Sequence, residues 1–434
     1  MFEKIKSTIF KNRNKNIFKI SIKHLDDLKY FNEAGKIFLS LKKYNDNYEM
    51  MFVGGAVRKI LKQEPINDAD IATNIEPKDL IKILKERNIR YLETGINHGT
   101  ITVFIKNLKF EITTLRKDLK TDGRHADVKF ISNWELDAAR RDFTINAIYT
   151  NLYGEIYDPL NGRDDLHKGI VRFIGDPNKR IKEDYLRILR YIRFFTQYSK
   201  HDHEKDTIKA IKLNFSNLVK ISKERKIQEL FKMFDLSNLN EIFKNKFSSF
   251  IITSLFPELK KFHRLNFLEK IYKETSLKLN RYLILSIMLV DETEDSEYFI
   301  YKYNLSTEAK NLILFLKKNH NKYSLKYILD KKNISRLIYL YSKKFMIDLI
   351  LFQIFNDPNS NRYSHQKIKK IENYIKEIKA IEIPTFPINA NYLKYQFNFL
   401  EGKQLGQAIK KLENIWLDNN FEIDKNEIKS ILKI

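Results

Sequence analysis

Two hydrophobic rhythms divide the chain. In YEMMFVGGAV (Tyr48–Val57), GTITVFI (Gly99–Ile105) and KFEITTL (Lys109–Leu115), apolar, β-branched and aromatic residues gather in short runs bounded by turn residues. Such runs predict strands, the first ending in a turn and the other two pairing as a hairpin. Beyond Asp176 the spacing changes. LRILRYIRFF (Leu186–Phe195) and LVKISKERKIQELFKMF (Leu218–Phe234) bring apolar residues back every three or four positions, the period of a helix with one buried face.

Glycine follows the same division. Ten of the 12 glycines lie between Gly35 and Gly175, none occurs from Asp176 to Glu401, and the last two are Gly402 and Gly406. Glycine marks turns and close backbone approaches, so the first part is expected to hold strands and tight turns. The glycine-free stretch is expected to be helical, broken later only by Pro257, Pro358 and the pair Pro384/Pro387. No fixed-period repeat or low-complexity tract is visible. The fold class predicted is α+β: a head with a mixed β-sheet and helices, then an all-α remainder.

Composition narrows this picture. At 434 residues, 43% hydrophobic and 31% charged, the chain is globular in composition and too long for one ordinary core. No apolar run approaches the roughly 20 residues of a membrane helix. The N-terminal run MFEKIKSTIFKNRNKNIFKI lacks the apolar core and small-residue site of a secretory signal, so a cytosolic location is expected. With no cysteine, disulfides and thiolate metal sites are excluded. Lys+Arg total 79 against 55 Asp+Glu, a net charge of +24. That excess favours a polyanion such as RNA, although a Lys-, Ile- and Asn-rich chain also carries solvated basic faces for other reasons.

Three features of the head suggest chemistry. Gly54-Gly55-Ala56-Val57-Arg58 directly follows an apolar run; two glycines let backbone N–H groups approach a phosphate, and an arginine can pair with it. Alone, Gly-Gly is commonly just a turn. Asp68 and Asp70 would point to one face of a strand, where two carboxylates favour a hard cation such as Mg²⁺; an Asp-rich turn is the alternative. Glu111 is a lone acid within an apolar strand, either part of a shared acidic site or a solvent-face residue. Further on, Asp184, Arg187, Arg190 and Arg193 are spaced as one row on a helix, with Leu189 and Ile192 on its apolar face. Arginine–carboxylate rows are also common on solvated helices. His201-Asp202-His203 reads as a loop rather than a metal site.

The ordered run VGGAVRK, NDADIAT, TGINHGTITV, FEITTLR, DGRHADVKF and ARRDFTINAI resembles the polymerase-β-like nucleotidyltransferases, and among them the tRNA CCA-adding enzymes and poly(A) polymerases of the bacterial and eukaryotic type. The resemblance is strong to about Phe231 and moderate again from Phe386. It implies Asp68 and Asp70 as metal carboxylates for Mg²⁺, with two ions during catalysis, and Glu111 as the third acid. It implies Gly54, Gly55, Arg58, Arg140, Arg141, Asp142 and Asn146 as triphosphate and ribose contacts, and Glu183, Asp184, Arg187, Arg190 and Arg193 as the base-selecting group. A carboxylate accepting from an amino group beside an arginine donating to a ring nitrogen suits cytosine and adenine and opposes uracil and guanine. ISKERKIQEL (Ile221–Leu230) resembles the motif that braces this pocket.

The segment RKDLKTDGRHADVKF (Arg116–Phe130) has the full length of the family loop linked to ATP incorporation. One departure stands out: Lys59 follows the GGAVR arginine where the family usually has an acid. The implied organisation is an N-terminal extension (1–23), a catalytic head (24–170), a helical neck (171–240), a body (241–330) and an RNA-binding tail (331–434). The implied activity is template-independent addition of CCA to tRNA from CTP and ATP, with no membrane or DNA partner. An A-adding enzyme, a poly(A) polymerase and a non-catalytic RNA-binding protein are the alternatives.

Overall fold

A computed structural model describes residues 25–66, 68–121 and 126–433. The N-terminal extension, and Asp122 to His125 of the DGRHADVKF run, therefore lie outside the described residues. The chain forms two compact units that meet between Lys232 and Met233.

The first unit is built on a seven-stranded sheet of order β3-β4-β5-β2-β1-β8-β9. Its strands are β1 (Met50–Val53), β2 (Ala69–Thr73), β3 (Arg90–Gly95), β4 (Thr100–Ile105), β5 (Leu108–Thr114), β8 (Tyr149–Thr150) and β9 (Ile156–Tyr157). β6 (Arg116–Thr121) and β7 (Ala126–Phe130) form a separate two-stranded hairpin. The sheet is mixed, as expected: β2 and β5 run parallel, and every other pair in it is antiparallel. GTITVFI and KFEITTL do pair as a hairpin, with Ile101 facing Ile112 and Val103 facing Phe110.

One face of the sheet packs against the helix Leu25–Lys42, where Phe31 meets Phe52 at 4.4 Å and Tyr30 meets Phe110 at 5.9 Å. A second cluster joins Met51, Val53 and Ala72 to Trp134, Ala138, Ala147 and Tyr149. It anchors the helix Trp134–Ala139, which Asn133 caps by accepting from the Leu136 N–H. At Asp158-Pro159 the chain turns into a further helix: the Asp158 carboxylate accepts from the N–H groups of Gly162 and Arg163 at 2.8 and 2.9 Å.

The second unit is helical throughout its described residues. In its glycine-free part, up to Glu401, several helices start on side-chain caps: Asn280, Ser306, Ser324, Asp330 and Ser364 each accept from a backbone N–H of the first turn, satisfying donors that helix ends leave orphaned. Phe256, Phe267, Phe299 and Phe352 fill its core, and a smaller cluster forms from Ile388, Leu393, Leu405, Leu412 and Ile428. No described helix is long and apolar enough to cross a membrane.

Candidate active site

The site begins where β1 ends. Val53 is registered opposite Asp70, and Asp70 opposite Glu111 on the parallel strand β5. The sequence places Gly54 next, with φ +66°, a conformation that side-chain-bearing residues rarely take. A Cβ there would stand 3.8 Å from Asp70 Oδ2, so the carboxylate lies against the Gly54–Gly55 turn. From that turn the helix Gly55–Lys62 departs, pointing its unpaired N–H groups and positive dipole end back towards the acids.

Asp68, Asp70 and Glu111 are thus brought together. Asp70 is the exposed residue of its strand, yet its carboxyl is pushed up to about 6, first by desolvation in the cleft and then by the charges of Asp68 and Glu111, against the opposing pull of Arg141 and Arg58. Such crowding is relieved by a cation. The side chain of Asp68 is 75% exposed, with Lys59 Nζ 3.7 Å away. Glu111 pairs with Lys109 at 2.6 Å. Among the described residues no group of three or more His or acidic side chains could hold a metal ion unaided. The donor set fits Mg²⁺, which uses one or two carboxylates and completes its shell with water and substrate phosphates.

Arg58 is placed differently from the expectation of a phosphate clamp. It is 8% exposed, donates Nη1 to the Asn146 side chain, and packs over the rings of Phe194 and Tyr198 at 4.8 and 5.7 Å. Asn146 donates to Asp142 at 2.6 Å, and Asp142 accepts from Arg190 Nε at 2.7 Å. Arg190, Asp142, Asn146 and Arg58 therefore form one chain, buried from Asp142 to Arg58 and partly open at Arg190. Burial works to raise the Asp142 carboxyl, but Arg190 and Asn146 outweigh it and hold the group well below its usual range. With both oxygens engaged, Asp142 braces the cleft more directly than it offers an acceptor.

The row expected on a single helix is broken. Helices Pro177–Glu183 and Leu186–Tyr198 are separated at Asp184, whose backbone is extended (φ −157°, ψ 107°). The cause is local: the Asp184 carboxylate accepts from the Leu186 N–H at 3.1 Å, competing with helix continuation as short polar side chains do. Its other oxygen accepts from Arg225 at 2.7 Å. Arg187 donates to Glu183 and to the Arg180 carbonyl. Arg193 pairs with buried Glu229 and lies 4.1 Å over the Phe194 ring. Arg225 and Glu229 both belong to the ISKERKIQEL run, which does brace this group. His201-Asp202-His203 is a loop, where His203 stacks on Phe195 at 3.6 Å and meets the Tyr191 hydroxyl.

Sequence reasoning missed Asp137. It is fully buried, and its two oxygens gather Arg140, Arg141 and the Tyr149 hydroxyl. The signal was present: an acid at i with arginines at i+3 and i+4.

Comparison with known proteins agrees with this layout. Residues 50–172 match the family profile described as the poly A polymerase head domain, and residues 203–262 the one described as a probable RNA and SrmB-binding site of polymerase A. The mitochondrial CCA tRNA nucleotidyltransferase 1 of Homo sapiens is 31% identical over 397 residues, 89% of this chain and 87% of its own length. The CCA-adding enzyme of Lactobacillus helveticus is 37% identical over 276 residues, 62% of this chain and 67% of its own. A crystal structure of the Bacillus stearothermophilus CCA-adding enzyme in complex with CTP shares the fold, with a TM-score of 0.65 at 24% identity over 93% of this chain and 97% of that one. On the similarity over most of both chains and the match to the head profile, the chain belongs to the family of CCA-adding tRNA nucleotidyltransferases.

Proposed function

We propose that this chain completes the 3′ end of tRNA by adding C, C and A from CTP and ATP without a nucleic-acid template. The observation that carries the reading is the set Asp68, Asp70 and Glu111 beside the Gly54–Gly55 turn. In this reading Asp68 and Asp70 hold Mg²⁺. That ion, when bound, lowers the pKa of the RNA 3′-hydroxyl and offsets charge on the departing pyrophosphate.

The chain's own groups do the rest. Backbone N–H groups at the start of the helix Gly55–Lys62 cradle phosphate oxygens, and Arg140 and Arg141 supply positive charge beside them. Arg58, Asp142, Asn146, Arg190 and Arg193 hold the cleft in shape through the buried pairs described above. Asp184 and Arg187 read the base edge. To do so, Asp184 shares the oxygen now facing Arg225, and Arg187 turns from Glu183. No covalent intermediate is required. A cytosolic location goes with this reading; the human relative is a mitochondrial enzyme, and fractionation of cells carrying the tagged chain distinguishes the two compartments.

The test uses a tRNA transcript lacking CCA, with Mg²⁺ and each nucleotide alone and together, followed by sequencing of the 3′ ends. Two C residues from CTP alone, then one A and a stop with both nucleotides, is the expected outcome. A only after a supplied CC end makes it an A-adding enzyme. A long A tract makes it a poly(A) polymerase, and no addition leaves an RNA-binding protein.

A further inference from the structure

Beneath the cleft, one carboxylate touches three separate parts of the first unit. Asp137 Oδ1 accepts from Arg140 Nε at 2.8 Å and lies 2.6 Å from Arg140 Nη2. Oδ2 accepts from Arg141 Nη2 at 3.0 Å and Nε at 3.3 Å, and from the Tyr149 hydroxyl at 2.8 Å. Tyr149 lies on β8, registered opposite Val53, the residue before Gly54. The backbone N–H of Arg116, where the β6–β7 hairpin starts, points at Oδ1 from 3.5 Å.

The arrangement is over-determined. Tyr149 also accepts from Arg141 Nε at 3.0 Å, and its ring underlies the Arg141 guanidinium at 5.2 Å. Trp134 meets the same ring edge-on at 5.5 Å and donates to Glu49 at 2.7 Å. Arg141 is therefore fixed on two sides, and its charge reaches Asp70, where it favours the carboxylate. Among the described residues, Nη1 of Arg140 and Nη1 of Arg141 make no hydrogen bond. An anion approaching the Gly54–Gly55 turn meets the Arg141 guanidinium already oriented, with Arg140 held on the other oxygen of the same carboxylate, so less side-chain entropy is lost on binding.

We infer that Asp137 is the positioning residue for the triphosphate: from beneath the cleft it fixes Arg140 and Arg141, and with Tyr149 ties them to the strand that carries the phosphate turn. The inference rests on the nucleotidyltransferase reading, since it assigns Asp137 to the phosphate half of that site. It assigns it no contact with base, RNA or reacting atoms. Asp137 acts through the arginines, so its removal is expected to weaken every nucleoside triphosphate alike and to leave the choice among bases unchanged.

The test compares wild type, Asp137→Asn, Tyr149→Phe, Arg141→Met and the double variant Asp137→Asn/Arg141→Met. The readouts are equilibrium binding of CTP and of ATP with Mg²⁺, KM and kcat for both nucleotides, tRNA affinity and melting temperature. Asp137→Asn is expected to weaken both nucleotides and raise both KM values about tenfold, with kcat and tRNA affinity little changed, as for lost uniform binding. Tyr149→Phe, which keeps the ring in its cluster, is expected to shift the same quantities by about threefold. The double variant should lose less than the sum of the two single losses, the remainder being the share of Arg140.

Three results overturn the inference: unchanged nucleotide affinity in Asp137→Asn, additive losses in the double variant, or a lowered melting temperature as the only effect. Should Asp137→Asn fail to fold, Tyr149→Phe decides, and unchanged nucleotide affinity there overturns the inference equally. Nucleotide binding is read without turnover. A wild type that binds CTP but adds nothing therefore defeats the functional reading and still tests Asp137.

Discussion

Three acids buried in the first unit and one buried in the second are treated in opposite ways. In the first, Asp137, Asp142 and Glu229 lie in the interior, and each has arginine partners. Burial works to raise all three, yet Arg141 and Arg140 bring Asp137 down to about 2, and arginines likewise hold Asp142 and Glu229 below their usual range. In the second unit Asp348 is 5% exposed on the helix Lys343–Asn356. Its Oδ1 accepts from Asn280 at 3.3 Å, and its Oδ2 has no partner. Burial pushes that carboxyl up to about 7, and Lys344, itself bonded to Glu308, offsets little of it. Arginine's planar fork can satisfy a buried carboxylate on both oxygens, whereas a distant ammonium cannot. The buried acids of the first unit named here are matched to partners and frame a site. Glu372 of the second unit is matched as well, by Ser276 and Lys369, so the stability cost there belongs to Asp348 itself.

Asp70 belongs to neither class. It is raised like Asp348, but partly by its own kind, Asp68 and Glu111. Asp70→Asn is the sharpest way to separate crowding that serves chemistry from burial that does not. Nucleotide addition is expected to fall by about a thousandfold or more, the scale of losing metal-assisted charge stabilisation, while tRNA affinity persists. The metal-free variant should also melt higher than wild type above pH 6. The folded carboxyl there titrates at about 6 against an ordinary 3.8, so ionising it opposes folding once the pH exceeds both values. Activity surviving the substitution would sink the metal assignment.

The next effect in size breaks a matched pair. Glu229→Gln leaves Arg193 buried without its counter-charge, and a loss of about 3 kcal/mol is expected in the unfolding of the first unit. Glu229→Leu combined with Arg193→Met should recover most of it, because replacing both partners removes the unmet charge. If the double variant is as unstable as the single one, the pair matters through shape and not charge balance.

Parts of this contrast were legible in the sequence. The strands around Met50–Val53 and Thr100–Thr114, the Gly-Gly turn and the Asp68/Asp70 pair follow from local pattern, because period-two alternation and glycine act over a few residues. The helical character of most of the second unit followed from the glycine-free stretch that ends at Glu401. Long-range pairing was not legible. Arg58 turning inward to Asn146, and Arg225 reaching Asp184 from 41 positions away, depend on packing that no short window contains. Asp184 breaking its helix was misjudged because arginine spacing outweighed the capping tendency of one aspartate. Asp348 sits in an apolar run, FMIDLILF, which states that the helix is buried but not whether its acid finds a partner.

Asp348→Asn tests the other side of the contrast. The folded carboxyl titrates at about 7 against an ordinary 3.8. Below pH 3.8 the group is protonated in both states and costs nothing. The penalty grows between these values and is complete above pH 7. The variant is expected to stabilise the second unit by about 1–3 kcal/mol at pH 8, with the gain vanishing near pH 4. Denaturant unfolding of wild type and variant at the two pH values measures it. A gain independent of pH would mean that the amide packs better, not that a charge was removed.

The smallest expected effect concerns the departure at Lys59. Its ammonium lies 3.7 Å from the exposed Asp68 carboxylate, where the family usually has an acid. A cation there competes with Mg²⁺ for Asp68 without displacing it, since exposed pairs contribute only about 0–1 kcal/mol. Lys59→Gln is therefore expected to tighten Mg²⁺ binding by less than about fivefold, with the difference shrinking as salt screens the pair. Calorimetric titration of Mg²⁺ into wild type and variant, at low and moderate ionic strength, reads both quantities. Weaker binding in the variant would place Lys59 among the groups that orient Asp68 for the ion. The head's rule of matched charges would then reach its solvent edge.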